Sequence, residues 1–294
     1  MTKKRTLLID ADVLAYQAAS ALETAIEWEP GFWTWHVEFD AVWQRVDDMV
    51  KDITEKLEAD KVVLCLTDPD HNFRLDVLPT YKTHRKSTKK PLILYHLKEW
   101  LVENRDAIIV PGLEGDDVMG ILATRGSGEK IIVSIDKDMK TIPGKYVRTR
   151  AVVNEDGAEL VGAFEILDIS EEEADRFHML QTLMGDVTDG YSGCPGIGDT
   201  IAQKIIDGCL KKEPYEHTLK SGPRKGETET RYTMEPCDDI WEAVVSHYVA
   251  AGLGEQEALR QARVARILRS SDFNFTTKEP ILWQPMTTST QLDV

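Results

Sequence analysis

Cysteine is scarce: four in 294 residues, at Cys65, Cys194, Cys209 and Cys237, with no Cys-x-x-Cys pair among them. That spacing indicates neither a disulfide framework nor a structural zinc site. Long apolar runs are missing too, and no window approaches the roughly 20 residues of a membrane span. Lys3, Lys4 and Arg5 open the chain as a secretory leader would. The apolar stretch then stops at Asp10 and no small-residue cleavage site follows, so a cytoplasmic location and no membrane partner are expected. Internal repeats are absent, which excludes a solenoid. Cations are in the minority, 35 Lys and Arg against 51 Asp and Glu, for a formal net charge of −16. At face value that opposes a nucleic-acid partner. The objection weakens because carboxylates that hold metal ions are neutralised, and because the cations fall in clusters.

Hydrophobic residues make up 42% of the chain, enough for a substantial core. Buried-strand runs at Thr6–Ile9, Lys61–Thr67, Ala107–Val110 and Lys130–Ile135 alternate with helical periodicity in the first half. Val42, Val46, Met49, Ile53 and Leu57 share one helical face behind Asp40 as the expected N-cap. This alternation predicts an α/β fold with a mostly parallel sheet flanked by helices. Glu23–Phe39 carries Trp28, Trp33 and Trp35 around Pro30-Gly31 and reads as a hairpin laid on the sheet, with a DNA-stacking platform as the alternative. The second half reads as mainly helical: one helix near Glu171–Gly185, another ending near Cys209, and a third over Ile240–Val249. A loop or exposed hairpin is expected at Glu213–Pro236, and a frayed polar tail after Gln284.

Acids follow the strands in a regular way. Asp10 ends the first, Asp68 the second; Glu114, Asp116 and Asp117 come after the third, and Asp136 and Asp138 after the fourth. In a parallel sheet the carboxyl ends share one edge, where ligands bind. Two carboxylates about 4 Å apart repel by roughly 4 kcal/mol at an effective dielectric of about 20, so such convergence calls for cations. Oxygen donors alone select hard ions such as Mg²⁺ or Mn²⁺. Any one of these acids could equally cap a following helix. A fifth acidic element, Asp186 and Asp189, precedes Tyr191-Ser192-Gly193-Cys194-Pro195-Gly196-Ile197-Gly198, and glycines opening a helix leave N–H groups free to face phosphate.

The order of motifs — LLIDAD, Asp68, YKTHRK, EGDDVMG, SIDKDMKTI, GDVTDGYSGCPGIGDTIA — resembles the 5′-nuclease (flap endonuclease) superfamily. Within it the chain is most similar to the phage 5′→3′ exonucleases of the T-seven group. The likeness implies a PIN-like, flap-endonuclease-type catalytic domain over 1–180. A helical part over 181–294 would carry a helix–two-turn–helix that grips duplex DNA. It implies two Mg²⁺ or Mn²⁺ ions: Asp10, Asp68, Glu114 and Asp116 for the first, with Asp117 nearby, and Asp136, Asp138, Asp186 and Asp189 for the second. Tyr81, Lys82 and Arg85 would belong to a gateway helix at the scissile phosphate, with Lys82 and Arg85 on one face. Lys86, Lys89 and Lys90 extend this basic run toward the DNA backbone. Gly193, Gly196, Gly198, Thr200 and Lys204 would contact the duplex, with K⁺ at this motif an option. Lys220, Arg224 and Lys225 are further DNA-contact candidates. For Arg260, Arg263, Arg266 and Arg269, expected on a late helix, DNA contact and plain solvation stand level. The short stretch between Lys86 and Glu114 predicts a reduced arch, partly formed by Arg74–Lys90. The implied activity is 5′→3′ hydrolysis at duplex ends and nicks, with flap and RNA–DNA hybrid cleavage as extensions. Its setting would be phage replication in the host cytoplasm, beside a separate polymerase. Two alternatives stay open: a haloacid-dehalogenase-type phosphatase with Asp10 as nucleophile, and a DNA-binding protein without activity.

Overall fold

The computed structural model describes residues 4–149, 152–153, 159–160 and 164–285; the expected polar tail falls largely outside them. Contacts divide the chain into two discontinuous units, one formed by 1–73, 85–174 and 267–281, the other by 74–84, 175–266 and 282–294.

The first unit begins with β1 (Arg5–Asp10) running straight into α1 (Ala11–Leu22), followed by a ribbon of β2 (Thr24–Glu29) and β3 (Phe32–His36). Next come α2 (Phe39–Lys56) and β4 (Lys61–Leu66). The short α3 (Arg74–Val77) belongs to the second unit. The first unit resumes with α4 (Leu94–Arg105), β5 (Ile108–Ile109), α5 (Gly115–Thr124), β6 (Glu129–Ser134) and β7 (Gly144–Arg148). A short antiparallel pair, β8 (Val152–Val153) and β9 (Glu159–Leu160), precedes β10 (Ile166–Ile169).

Six strands form one sheet in the order β10-β7-β6-β1-β4-β5. All neighbours are parallel except β10 against β7. β1 lies between β4 and β6, with Ile9 opposite Leu64 on one side and Val133 on the other. Leu7, Ile9, Leu64, Leu66, Ile131 and Val133 join α1, α2 and α4 residues in a single core. Leu8, Cys65 and Ile132 are buried on the opposite face, and burial on both faces explains why the strands read as continuous apolar runs. The N-cap of α2 is Glu38, two residues before the expected cap at Asp40, which instead occupies the first turn.

The Trp-rich hairpin forms, but not against the sheet. Trp28, Phe32, Trp33 and Trp35 are 62%, 59%, 44% and 40% exposed, a marked departure from the expected packing.

In the second unit α6 (Glu171–Met184), whose first turn is counted with the first unit, leads through a glycine-rich turn to α7 (Asp199–Gly208). An exposed ribbon of β11 (Leu210–Thr218) and β12 (Thr228–Pro236) follows, then α8 (Ile240–Ala250) and α9 (Glu255–Ala265). Leu183, Ala202, Ile205, Trp241, Val244, Tyr248 and Ala262 build its core. The chain returns to the first unit in β13 (Phe273–Asn274) and β14 (Glu279–Pro280). The arginines expected along one late helix split: α9 ends at Ala265, so Arg266 and Arg269 lie beyond it, each 5% exposed. Arg269 donates to the Thr141 carbonyl at 2.9 Å and Arg266 approaches Asp175 at 3.6 Å, so these two are structural cations, not DNA contacts. No helix among the described residues is long and apolar enough to cross a membrane.

Candidate active site

At the carboxyl edge of the first unit's sheet the acids are locked by short-range hydrogen bonds. Asp10, 6% exposed, caps α1 by accepting from the Val13 N–H at 3.1 Å, and its second oxygen accepts from the Ser134 hydroxyl at 2.8 Å. Ser134 in turn accepts from the Asp136 N–H at 3.1 Å, which couples the ends of β1 and β6. Asp136 caps a 3₁₀ turn over Lys137–Thr141 through the Asp138 N–H at 2.9 Å, while the Tyr146 hydroxyl donates to the Asp136 carbonyl at 2.8 Å.

Asp68, past the end of β4, accepts from the Gly112 N–H at 2.6 Å and the Asp70 N–H at 3.0 Å. Glu114 is the N-cap of α5 and forms a capping box with Asp117, so the capping alternative holds for this residue. Asp117 is fully buried. Its two oxygens accept from the Glu114 N–H at 3.1 Å and the Leu268 N–H at 3.0 Å, which gives it a positioning role beside Glu114. Asp116, half-buried, lies in the first turn of the same helix.

Buried neighbours register how these charges gather. Burial first, then the charges of Asp10, Asp116 and Asp12, push the Cys65 thiol far up. The Tyr146 hydroxyl is likewise raised, by burial and then by Asp136, Asp138 and Asp10, with Arg148 opposing. Asp10 belongs to both sets, and burial together with Asp12 and Asp136 raises its pKa to about 6. Among the described residues no three His, Cys, Asp or Glu side chains form a ready-made metal group. The carboxylates of Asp10, Asp68 and Asp136 instead accept from nearby N–H and O–H donors.

Asp12 was not among the predicted site residues. Its carboxylate accepts from the Thr67 N–H at 2.8 Å and pairs with Lys98. The Thr67 hydroxyl accepts from the Gly115 N–H at 3.0 Å, fixing where α5 begins. A Cβ on Gly115 would lie 3.1 Å from the Asp12 carboxylate and 3.2 Å from the Cys65 carbonyl, so glycine is suited to this approach. The second Asp of LLIDAD was the available signal.

In the second unit Asp186 closes a tight turn, accepting from the Thr188 N–H at 2.7 Å and the Asp189 N–H at 3.3 Å. The Asp189 carboxylate receives the Tyr81 hydroxyl at 3.0 Å and lies 3.4 Å from the Lys82 ammonium. Lys82 sits at φ +53°, ahead of a 3₁₀ turn over Thr83–Ser87. It therefore does not share a helical face with Arg85, and the expected gateway helix is replaced by this bend. Arg85 belongs to the first unit, and the Lys86 side chain lies outside the described set. Arg74, assigned to a partial arch, is buried, with its guanidinium on the Val264 and Arg266 carbonyls at 2.9 and 2.7 Å. Lys89 pairs with Glu23 and sits 4.1 Å from the Trp35 ring centroid; Lys90 lies 5.3 Å from that of Tyr95.

The three motif glycines differ. A Cβ on Gly193 would strike the Gly185 nitrogen at 2.3 Å, so this residue serves close backbone packing, and its N–H donates to Gln261 at 3.0 Å. Gly196 and Gly198 are exposed and have nothing within 4 Å of an added Cβ. Thr200 and Lys204 are exposed on α7. Lys220 and Lys225 are exposed at the tip of the β11–β12 ribbon, whereas Arg224 pairs with Glu227 at 2.7 Å.

The family described as 5′-3′ exonuclease, N-terminal resolvase-like domain, matches residues 5–168, which hold all of the six-stranded sheet but the last residue of β10. The chain is 37% identical to the exodeoxyribonuclease of Enterobacteria phage T3, over 96% of this chain and 93% of that one. It is 36% identical to the exonuclease of Escherichia phage T7, covering 96% and 94%. A solved structure of the phage T5 5′-exonuclease with divalent zinc ions covers 69% of this chain and 75% of its own. Its 17% identity and TM-score of 0.45 are too loose to add to the assignment. On the family match and the two full-length relatives, the chain belongs to the 5′-3′ exonuclease family.

Proposed function

We propose that this 5′→3′ exonuclease hydrolyses DNA phosphodiesters from duplex 5′ ends and nicks, using water activated by two hard divalent ions, Mg²⁺ or Mn²⁺. The observation that carries the reading is the place of Asp10 in two carboxylate sets, with Asp12 and Asp116 about Cys65 and with Asp136 and Asp138 about Tyr146. The donor set fits such ions: the acids supply oxygen only, and burial together with the charges of Asp12 and Asp136 raises the Asp10 pKa, a cost that a bound cation would relieve. Asp10, Asp68, Glu114 and Asp116 are the proposed ligands of one ion; Asp136, Asp138, Asp186 and Asp189 those of the other, with Asp117 orienting Glu114. When bound, the ions would supply the Lewis acidity that activates water and neutralises phosphoryl charge.

The chain's own groups prepare the site. Ser134 aligns Asp10 with Asp136, and the Tyr81 hydroxyl holds Asp189. Lys82 and Arg85 offer cations to the charge that develops on phosphate. Lys86, Lys89, Lys90, Lys220, Arg224 and Lys225 would take the DNA backbone by charge. Gly193, Gly196, Gly198, Thr200 and Lys204 form the proposed duplex grip, with K⁺ as its ion. DNA as substrate draws support from the exodeoxyribonuclease name of the phage T3 relative. Flaps and RNA–DNA hybrids are proposed as secondary substrates, and primer removal in the host cytoplasm, beside a separate polymerase, as the setting.

The test is a duplex labelled at 5′ or at 3′ ends and digested in parallel with Mg²⁺. The 5′ label should leave at once on a short product while the 3′-labelled strand shortens gradually. The reverse order would overturn the polarity.

A further inference from the structure

The β11–β12 ribbon leaves and re-enters the second unit through two cysteines. Cys209 is the left-handed C-cap of α7, and Cys237 follows the last residue of β12. The ladder pairs Leu210 with Pro236, so Cys209 and Cys237 come next in register, and the Cys237 N–H donates to the Cys209 carbonyl at 2.8 Å. Their sulfurs are 3.5 Å apart, and both side chains are partly exposed. Directly opposed residues of an antiparallel pair have Cα atoms about 4.5–5.5 Å apart, within the range that a disulfide spans.

We propose that Cys209 and Cys237 are a reversible dithiol site that a low-molecular-weight disulfide such as oxidised glutathione converts to an intramolecular cross-link. One thiol loses its proton and attacks the oxidant, releasing one reduced thiol and leaving a mixed disulfide. The other thiol then displaces the second half of the oxidant, so two protein thiols are oxidised and two small thiols form. The Cys237 thiol is also directed at the Cys209 and Asp239 carbonyls, at 3.3 and 3.4 Å, which keeps the two sulfurs side by side. Burial and the Cys237 hydrogen bond push the Cys209 thiol up to about 11, which keeps its thiolate scarce near neutral pH. Cys65 and Cys194 are buried elsewhere and have no such partner among the described cysteines.

The bond would close the ribbon at its base. There Lys212 already donates its N–H to Ser246 at 2.9 Å, and the His247 ring meets the Leu210 carbonyl at 3.1 Å. Lys220, Arg224 and Lys225 at the ribbon's far end offer trypsin a site within the closed loop. The full-length protein should therefore be equilibrated with oxidised and reduced glutathione, quenched with acid, and nicked with trypsin. Under oxidising conditions the nicked fragments stay joined until reductant is added, and intact mass falls by two hydrogens with two of the four thiols protected. Cys209→Ser and Cys237→Ser each abolish the joining, and each retains a glutathione adduct on the remaining partner. Fragments that separate without reductant, or a cross-link that maps to another cysteine, overturn the proposal.

Discussion

In the first unit the carboxylates stand at strand ends and are fixed by main-chain N–H groups and one serine; in the second, Asp189 is fixed by a phenol and an ammonium group. The first arrangement depends on the sheet: Ser134 meets Asp10 only because β6 pairs with β1 in a register that sets Ile9 against Val133. The second depends on a local turn, Asp186 to Tyr191, and on the bend that carries Tyr81 and Lys82. Sheet-borne acids carry a desolvation cost, visible in the raised Asp10 pKa, whereas Asp189 already has a cation beside it. Like residues are thus prepared differently, and substitutions should separate them.

The largest effect should come from removing an acid of either kind. Asp136→Ala and Asp189→Ala are each expected to lower cleavage by ~10³-fold or more, about 4 kcal/mol of barrier, while sparing DNA affinity. Nuclease assays in Mg²⁺ beside gel shifts in Ca²⁺ check this; loss for only one variant would break the symmetry of the two sets.

Backbone packing gives the next effect. Gly193→Ala would drive a Cβ into the Gly185 backbone at 2.3 Å, and roughly 3 kcal/mol of stability should be lost in urea unfolding. Gly196→Ala meets open space and carries only the strain of φ +77°, about 1 kcal/mol.

Asp10 sharpens the electrostatic contrast. Its folded pKa is raised from 3.8 to about 6, so between these values the folded chain holds a proton that the unfolded chain releases. Its contribution is fully present below about pH 4 and is lost as pH rises through 6. The loss amounts to about 3 kcal/mol in metal-free buffer. Chemical denaturation in EDTA should show this decline in the wild type and a flatter profile in Asp10→Asn.

The smallest effect is expected at Tyr81→Phe, which removes one hydrogen bond to Asp189, about 1 kcal/mol. Cleavage should fall several-fold, and stability by about that 1 kcal/mol in urea unfolding.

The sheet was legible because its strands are buried on both faces and read as apolar runs, each ended by an acid. What escaped was non-local. Ser134 does not stand out until the sheet brings β1 and β6 together, and Asp12, visible as the second Asp of LLIDAD, reveals its role only where it meets Thr67 beyond β4. The left-handed Lys82 breaks a helix that the spacing from Lys82 to Arg85 suggested, and only the fold reveals it. The burial of Arg74, Arg266 and Arg269 likewise comes from contacts far along the chain, whereas exposed arginines such as Arg260 pair locally, with Glu257 at 2.6 Å. The exposed Trp-rich ribbon shows the converse, since an apolar alternating segment need not find a face to cover.

The central claim is that strand-end carboxylates hold divalent ions, and Mn²⁺ titration by calorimetry tests it most directly. Wild-type protein should bind Mn²⁺ with a saturating isotherm that collapses when Asp10→Asn is combined with Asp136→Asn; isotherms that match in affinity and stoichiometry would contradict it.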